Sequence, residues 1–117
     1  MVNRIAICDD VEVERFVLKR QLMVYFQTNG REAQIQEYES GESLLADIEE
    51  GYIWPDLIFL DIYMGDLNGM DTARKLRDLG VKAPIVFLTA SPDFALESYE
   101  VEIAKHDIHI EYDFDEM

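Results

Sequence analysis

Three aspartates stand where apolar runs end. Ile5-Ala6-Ile7-Cys8 runs into Asp9-Asp10, and Ile58-Phe59-Leu60 runs into Asp61. Short continuous apolar runs read as strands of a doubly covered parallel sheet, and in such open sheets ligands gather outside the carboxyl ends of the strands. Acids placed there sit where chemistry is done rather than where packing is done. Three carboxylates brought together in a partly dry pocket repel one another strongly, and a divalent cation relieves that repulsion. Mg²⁺ prefers such hard oxygen ligands and keeps several of its waters. The pattern points to a cation and phosphoryl site made of Asp9, Asp10 and Asp61.

The elements that must position these acids alternate along the chain. After the first strand, Ile5 to Cys8, a helix is predicted from Val11 to Phe26, with Val13, Phe16, Val17, Met23 and Phe26 recurring at three- and four-residue steps and Asn29-Gly30 as a stop. Ala33 to Tyr38 alternates apolar and polar residues and reads as a strand nearer an edge. Ser40-Gly41 opens a short helix through Leu44, Leu45 and Ile48, closed by Gly51. Pro55 precedes a third strand, Asp56 to Leu60, at a strand beginning where proline is tolerated. The loop Ile62 to Asn68 leads to a helix carrying Met70, Ala73, Leu76 and Leu79, and Pro84 then opens a fourth strand, Ile85 to Leu88, followed by Thr89-Ala90-Ser91. Pro92 introduces a helix through Phe94, Leu96, Tyr99 and Ile103, and Asp107 to Phe114 alternates as a fifth strand. Strand and helix in alternation give an α/β fold with a parallel sheet and right-handed crossovers.

Composition bounds the rest. A chain of 117 residues, 49% hydrophobic and 30% charged, is one domain with enough apolar surface to bury a core. One cysteine cannot make an internal bridge, no run approaches the ~20 apolar residues of a membrane span, and the N-terminal residues lack the apolar core of a signal peptide, so a soluble, cytoplasmic protein is expected. Ten Lys and Arg against 25 Asp and Glu give a formal charge of −15, which opposes direct binding to nucleic acid or to an anionic membrane.

With the pair Asp9-Asp10, the strand-end Asp61, the loop Met64-Gly65-Asp66-Leu67-Asn68-Gly69 and the strand-end Thr89-Ala90, the sequence resembles a bacterial response-regulator receiver domain from about Arg4 to Val101. Ser91 to Val101 is similar to the fourth-helix segment of receivers that precede LytTR-type DNA-binding domains. The resemblance implies one receiver domain over residues 1–117, family-like over 4–101 and divergent over 102–117. It implies a flavodoxin-like, doubly wound, five-stranded parallel sheet of order 2-1-3-4-5. It further implies that Asp61 accepts a phosphoryl group from a sensor histidine kinase, and that Asp9, Asp10, Asp61 and the Tyr63 backbone carbonyl bind Mg²⁺. The hydroxyl of Thr89 is implied to hydrogen-bond the phosphoryl group. Such a domain is a signalling module rather than an enzyme, and it switches a partner or an output domain concerned with transcription regulation.

The C-terminal sixteen residues depart from the family. Its fifth-strand Lys falls near His109, within Asp107-Ile108-His109-Ile110-Glu111, Lys105 stands earlier, and the aromatic switch position falls near His106. Only Asp115, Glu116 and Met117 follow Phe114, so the fifth helix is expected to be missing. These departures motivate an alternative, a degenerate receiver that acts as an interaction or dimerisation module without switching. Ile108, Ile110, Tyr112 and Phe114 would supply the face for a homodimer. A haloacid-dehalogenase-like phosphotransferase is the other rival, but Tyr63 occupies the place of that family's second aspartate. The simpler readings assign Cys8 to a buried core, Trp54 to packing where the third strand begins, Asp66 and Asp71 to a turn and a helix's positive end, and His106 and His109 to a partly exposed pair.

Overall fold

The computed structural model describes residues 2–64 and 67–88. Seven elements follow in strict alternation: β1 (Val2–Cys8), α1 (Glu12–Thr28), β2 (Glu32–Tyr38), α2 (Gly41–Glu49), β3 (Leu57–Asp61), α3 (Gly69–Asp78) and β4 (Ile85–Leu88). The strands form one parallel sheet in the order β2-β1-β3-β4. This is the doubly wound arrangement expected, with β2 at the edge where its alternating sequence placed it. The expected fifth strand, the helix after Pro92 and the question of a fifth helix lie outside the described residues.

Register follows from the apolar pattern. Val2 pairs with Glu32 and Cys8 with Tyr38, so Asn3 and Arg4 extend β1 beyond its apolar run. On the other side Ile5 is level with Leu57 and Cys8 with Leu60. Side chains alternate across the sheet, so Ala6, Cys8, Ile58, Leu60, Ile85 and Phe87 join the buried cluster under α2 and α3, with Leu44, Ile48, Met70, Ala73 and Leu76 packed on them. Ile5 and Ile7 point the other way, to Phe26 of α1.

Local chemistry sets the helix ends. The Asn68 side chain accepts from the Asp71 amide at 2.8 Å and the Ser40 hydroxyl from the Ser43 amide at 3.1 Å, each satisfying a donor that the first helical turn leaves free. Asp71 lies in the first turn of α3 and pairs with Arg74 at 2.8 Å, the helix-end role expected of it. Gly51 at φ 82° and Gly80 at φ 91° take the left-handed conformation that closes α2 and α3.

The structure corrects the buried face of α1. Of the five apolar positions singled out in the sequence only Phe26 is buried, while Val13, Phe16, Val17 and Met23 are exposed. The sheet takes Leu18, Leu22 and Phe26 instead, one residue per turn along the same side as Arg15 and Lys19, which bind Glu37 of β2. A helix with apolar residues on more than one side does not reveal by spacing alone which stripe the sheet will choose. Trp54 is corrected as well: it is half-exposed rather than packed away.

Candidate functional site

The register of β1 and β3 dictates the site. Cys8 is level with Leu60, so the residue after each, Asp9 just past β1 and Asp61 at the last position of β3, stands at the same height. One carboxylate oxygen from each of Asp9, Asp10 and Asp61 lies within 4.8 Å of the other two. Asp9 is buried, Asp61 nearly so, and Asp10 is exposed, so the cluster has a dry floor and a wet mouth.

Backbone contacts hold each acid. The Asp9 amide donates to the Tyr38 carbonyl at 3.0 Å, which locks the end of β1 to the end of β2. One Asp9 carboxylate oxygen accepts from the Val11 amide at 2.9 Å, and its carbonyl accepts from Arg15 at 2.7 Å. The Asp61 carboxylate accepts from the Tyr63 amide at 3.2 Å, which fixes the turn that follows β3. Beneath them the Cys8 thiol lies 3.6 Å from the Met64 sulfur. Burial, then the charges of Asp9 and Asp61, pushes that thiol up to about 12, so Cys8 is the inert core residue expected.

Glu14 and Arg15, which sequence reasoning passed over, and Gly69, which it named only within a loop motif, complete the surroundings. Glu14, in the first turn of α1, shares a hydrogen bond with the Asp9 carboxylate. That bond, followed by the Asp9 charge, raises its pKa above the ordinary glutamate range. Arg15 ties Asp9 to Glu37, reaching the carboxylate of Glu37 at 3.1 Å. Its guanidinium meets the Asp9 carbonyl and not its carboxylate. Gly69 opens α3 directly against the Asp61 carbonyl, where a Cβ would collide with backbone, and its amide donates to the Ile62 carbonyl at 2.9 Å. The one signal in the sequence was Gly69 after Asn68, a cap followed by the smallest residue.

Electrostatics define what the cluster would bind. Desolvation by burial, followed by the Asp9 charge, pushes Asp61 up to about 7, and the Tyr63 amide only partly opposes this. Among the described residues the donors are all hard oxygens, two nearly dry and one solvated. That set fits a Mg²⁺ ion that keeps part of its water shell. Thr89 and the Gly65-Asp66 part of the loop lie outside the described residues, as do His106 and His109.

A doubly wound parallel α/β sheet with a carboxylate cluster at its strand ends defines the class of protein. Residues 5–108 match the response regulator receiver domain family, and the chain belongs to that family. It is 31% identical over 99 residues to the sensory transduction protein LytT of Bacillus subtilis (strain 168), covering 85% of this chain and 39% of that protein. It is also 31% identical over 91 residues to the positive alginate biosynthesis regulatory protein of Pseudomonas aeruginosa, covering 78% of this chain and 36% of that protein. Among solved structures it resembles the response regulator protein TrrA from Thermotoga maritima in complex with Mg²⁺ and BeF, with a TM-score of 0.71, 30% identity, and coverage of 97% of this chain and 91% of that one. The chain thus spans less than two-fifths of the length of these two curated relatives. No helix among the described residues is long and apolar enough to cross a membrane.

Proposed function

We propose that this chain is a phosphoacceptor switch in which Asp61 takes a phosphoryl group from a phosphohistidine of a sensor histidine kinase. The observation that carries this is the convergence of Asp9, Asp10 and Asp61 within 4.8 Å together with the upward shift of Asp61. A carboxylate so placed gains by binding a cation when it ionises. An Asp61 carboxylate oxygen attacks phosphorus and forms the new P–O bond. The P–N bond to the donor imidazole breaks, its electron pair stays on nitrogen, and the nitrogen takes up a proton. Asp9, Asp10, Asp61 and the Tyr63 carbonyl would hold Mg²⁺, which when bound screens the charge on the phosphoryl oxygens. The chain's own part is positioning: Tyr38 and Val11 fix Asp9, and Tyr63 and the close approach of Gly69 fix Asp61. Thr89, which follows Leu88 in the sequence, is assigned the hydrogen bond to the transferred group.

The domain reading is a single receiver over residues 1–117. The names of its relatives, a sensory transduction protein and a regulatory protein, support a regulatory output; this reading places that output in transcription, and the charge of −15 assigns DNA contact to some other domain or partner. A second copy is the other partner this reading admits, through Ile108, Ile110, Tyr112 and Phe114. Sedimentation at rising ionic strength checks it, since screening of the charge favours association.

Incubation with a small phosphodonor and Mg²⁺ should add one phosphoryl group, located on Asp61 by mass spectrometry, and Asp61→Asn should abolish it. Label that persists in Asp61→Asn removes the assignment. A wild-type chain that never labels, while it still binds Mg²⁺, favours the interaction module without switching.

A further inference from the structure

A groove of about 550 Å³ lies on the α2 side of the sheet, over the edge strand β2 and away from the carboxylate cluster. Its floor departs from the rest of that face. Where β1 and β3 present Ala6, Cys8, Ile58 and Leu60, β2 presents the side-chain amides of Gln34 and Gln36, both exposed. Tyr52 and Trp54 form its wall, 76% and 49% exposed. They are not carried on a loose loop. The Tyr52 amide donates to the Asp47 carbonyl at 2.8 Å, Gly51 closes α2 at φ 82°, and beyond Trp54 the Asp56 amide donates to the Arg4 carbonyl at 2.7 Å while the Arg4 amide donates back to the Asp56 carboxylate at 2.9 Å. Aromatic rings held open to solvent on an anchored segment are surface kept available for contact.

The groove is electrically bipolar. At one end the Tyr38 hydroxyl donates to one oxygen of Asp47 at 2.8 Å and orients the carboxylate. Burial followed by that hydrogen bond raises the Tyr38 pKa, so the hydroxyl keeps its proton and stays a donor. The C-terminal end of α2 adds its negative partial charge there. At the other end stands Arg4, level with Gln34 in the register and thus four residues from Tyr38 along the strand direction. At ~3.3 Å per strand residue the two ends are about 13 Å apart. Side-chain amides between them offer both donors and acceptors, as the backbone of an extended chain requires.

We propose that this groove binds an extended segment of a partner protein that carries a basic side chain, an aromatic one two residues on, and an acidic one two residues after that. Alternate side chains of an extended segment share a face at the same ~3.3 Å per residue, so the basic group reaches Asp47, the ring meets Tyr52 and Trp54, and the acid reaches Arg4. The inference is independent of phosphoryl transfer at Asp61.

Trp54 is the only tryptophan of the chain, so its fluorescence reports the groove directly. Titration of the full chain with the end-blocked peptide Lys-Ser-Phe-Ser-Glu should give a saturable change with a Kd below about 1 mM. Asp47→Asn, which keeps an acceptor for Tyr38, and Arg4→Gln, at an exposed position, should each weaken binding about tenfold. Lys-Ser-Phe-Ser-Lys and Gln-Ser-Phe-Ser-Gln should lose it similarly, and Phe16→Ser on the opposite side of the sheet should leave it unchanged. The proposal is overturned if Trp54 does not respond up to that concentration. It is equally overturned if the like-charged peptide binds as well as the bipolar one, or if Arg4→Gln binds as wild type. Arg4→Gln decides the matter even where Asp47→Asn fails to fold.

Discussion

The two sides of the sheet are built to different standards. Under α2 and α3 the core is continuous, and Leu44, Met70, Leu76, Ile85 and Phe87 are essentially without solvent contact. On the α1 side the described residues form a smaller buried cluster of Ile5, Ile7 and Phe26, while Leu57, Phe59, Ala33 and Ile35 are only partly covered. Outward from there α1 shows Val13, Phe16, Val17 and Met23 to solvent. The difference teaches where the site's rigidity comes from. The α3 side supplies Gly69, the Asn68 cap and the packed bed beneath Asp61. The α1 side supplies charge, through Glu14 and Arg15. One half fixes geometry and the other tunes electrostatics.

The contrast is broken or sharpened by substitution. Phe87→Ala on the well-packed side should cost about 3–5 kcal/mol by denaturant unfolding, because the bed cannot collapse to fill the void. A cost below about 1 kcal/mol there would dissolve the distinction between the two sides. At the site between them, the sign of the pH dependence is fixed. Asp61 titrates near 7 when folded against an ordinary 3.8, so the folded chain binds the extra proton. Its favourable contribution is complete below about 3.8 and is lost as pH rises through about 7. The difference in melting temperature between the metal-free wild type and Asp61→Asn should therefore widen over that window, and Mg²⁺ should close it at the upper end. A difference independent of pH would mean that the carboxylates do not feel one another.

Smaller effects follow. Asn68→Ala should cost about 1 kcal/mol through the lost cap on α3, and it should slow labelling of Asp61 more than it lowers stability if the start of α3 positions the acid. Phe16→Ala should change stability by less than about 0.5 kcal/mol, as exposed positions do. A larger loss would show that this stripe is covered in solution.

The sheet and the cluster were legible because both rest on patterns the chain repeats. Apolar runs that end in acid give strand ends, and equal register then brings Asp9 and Asp61 to one height. The α1 stripe was not legible, since Phe16 and Leu18 are equally apolar and spacing alone does not say which turns inward; in the fold Leu18 lies on the side of Arg15 and Lys19, which bind Glu37. Glu14 was not legible either: an exposed acid in a first helical turn has an ordinary explanation in the helix dipole, and its approach to Asp9 exists only once β1 and α1 are bent together. Trp54 misled because large rings before a strand usually pack. Here the following residues bind Arg4 and leave the ring at the surface.

The order of pairing carries a consequence for synthesis. β1 lies in the middle of the sheet, yet Ile5 finds its second neighbour only when Leu57 has been made. At ~5–20 residues per second, the roughly 50 residues between them take several seconds to translate. During that interval Ile5-Ala6-Ile7-Cys8 has no strand on its β3 side and no α3 above it. The nascent chain therefore carries this central strand unfinished for longer than β3 waits for β4, and β2, which emerges sooner and pairs along all of β1, acts as its temporary guard.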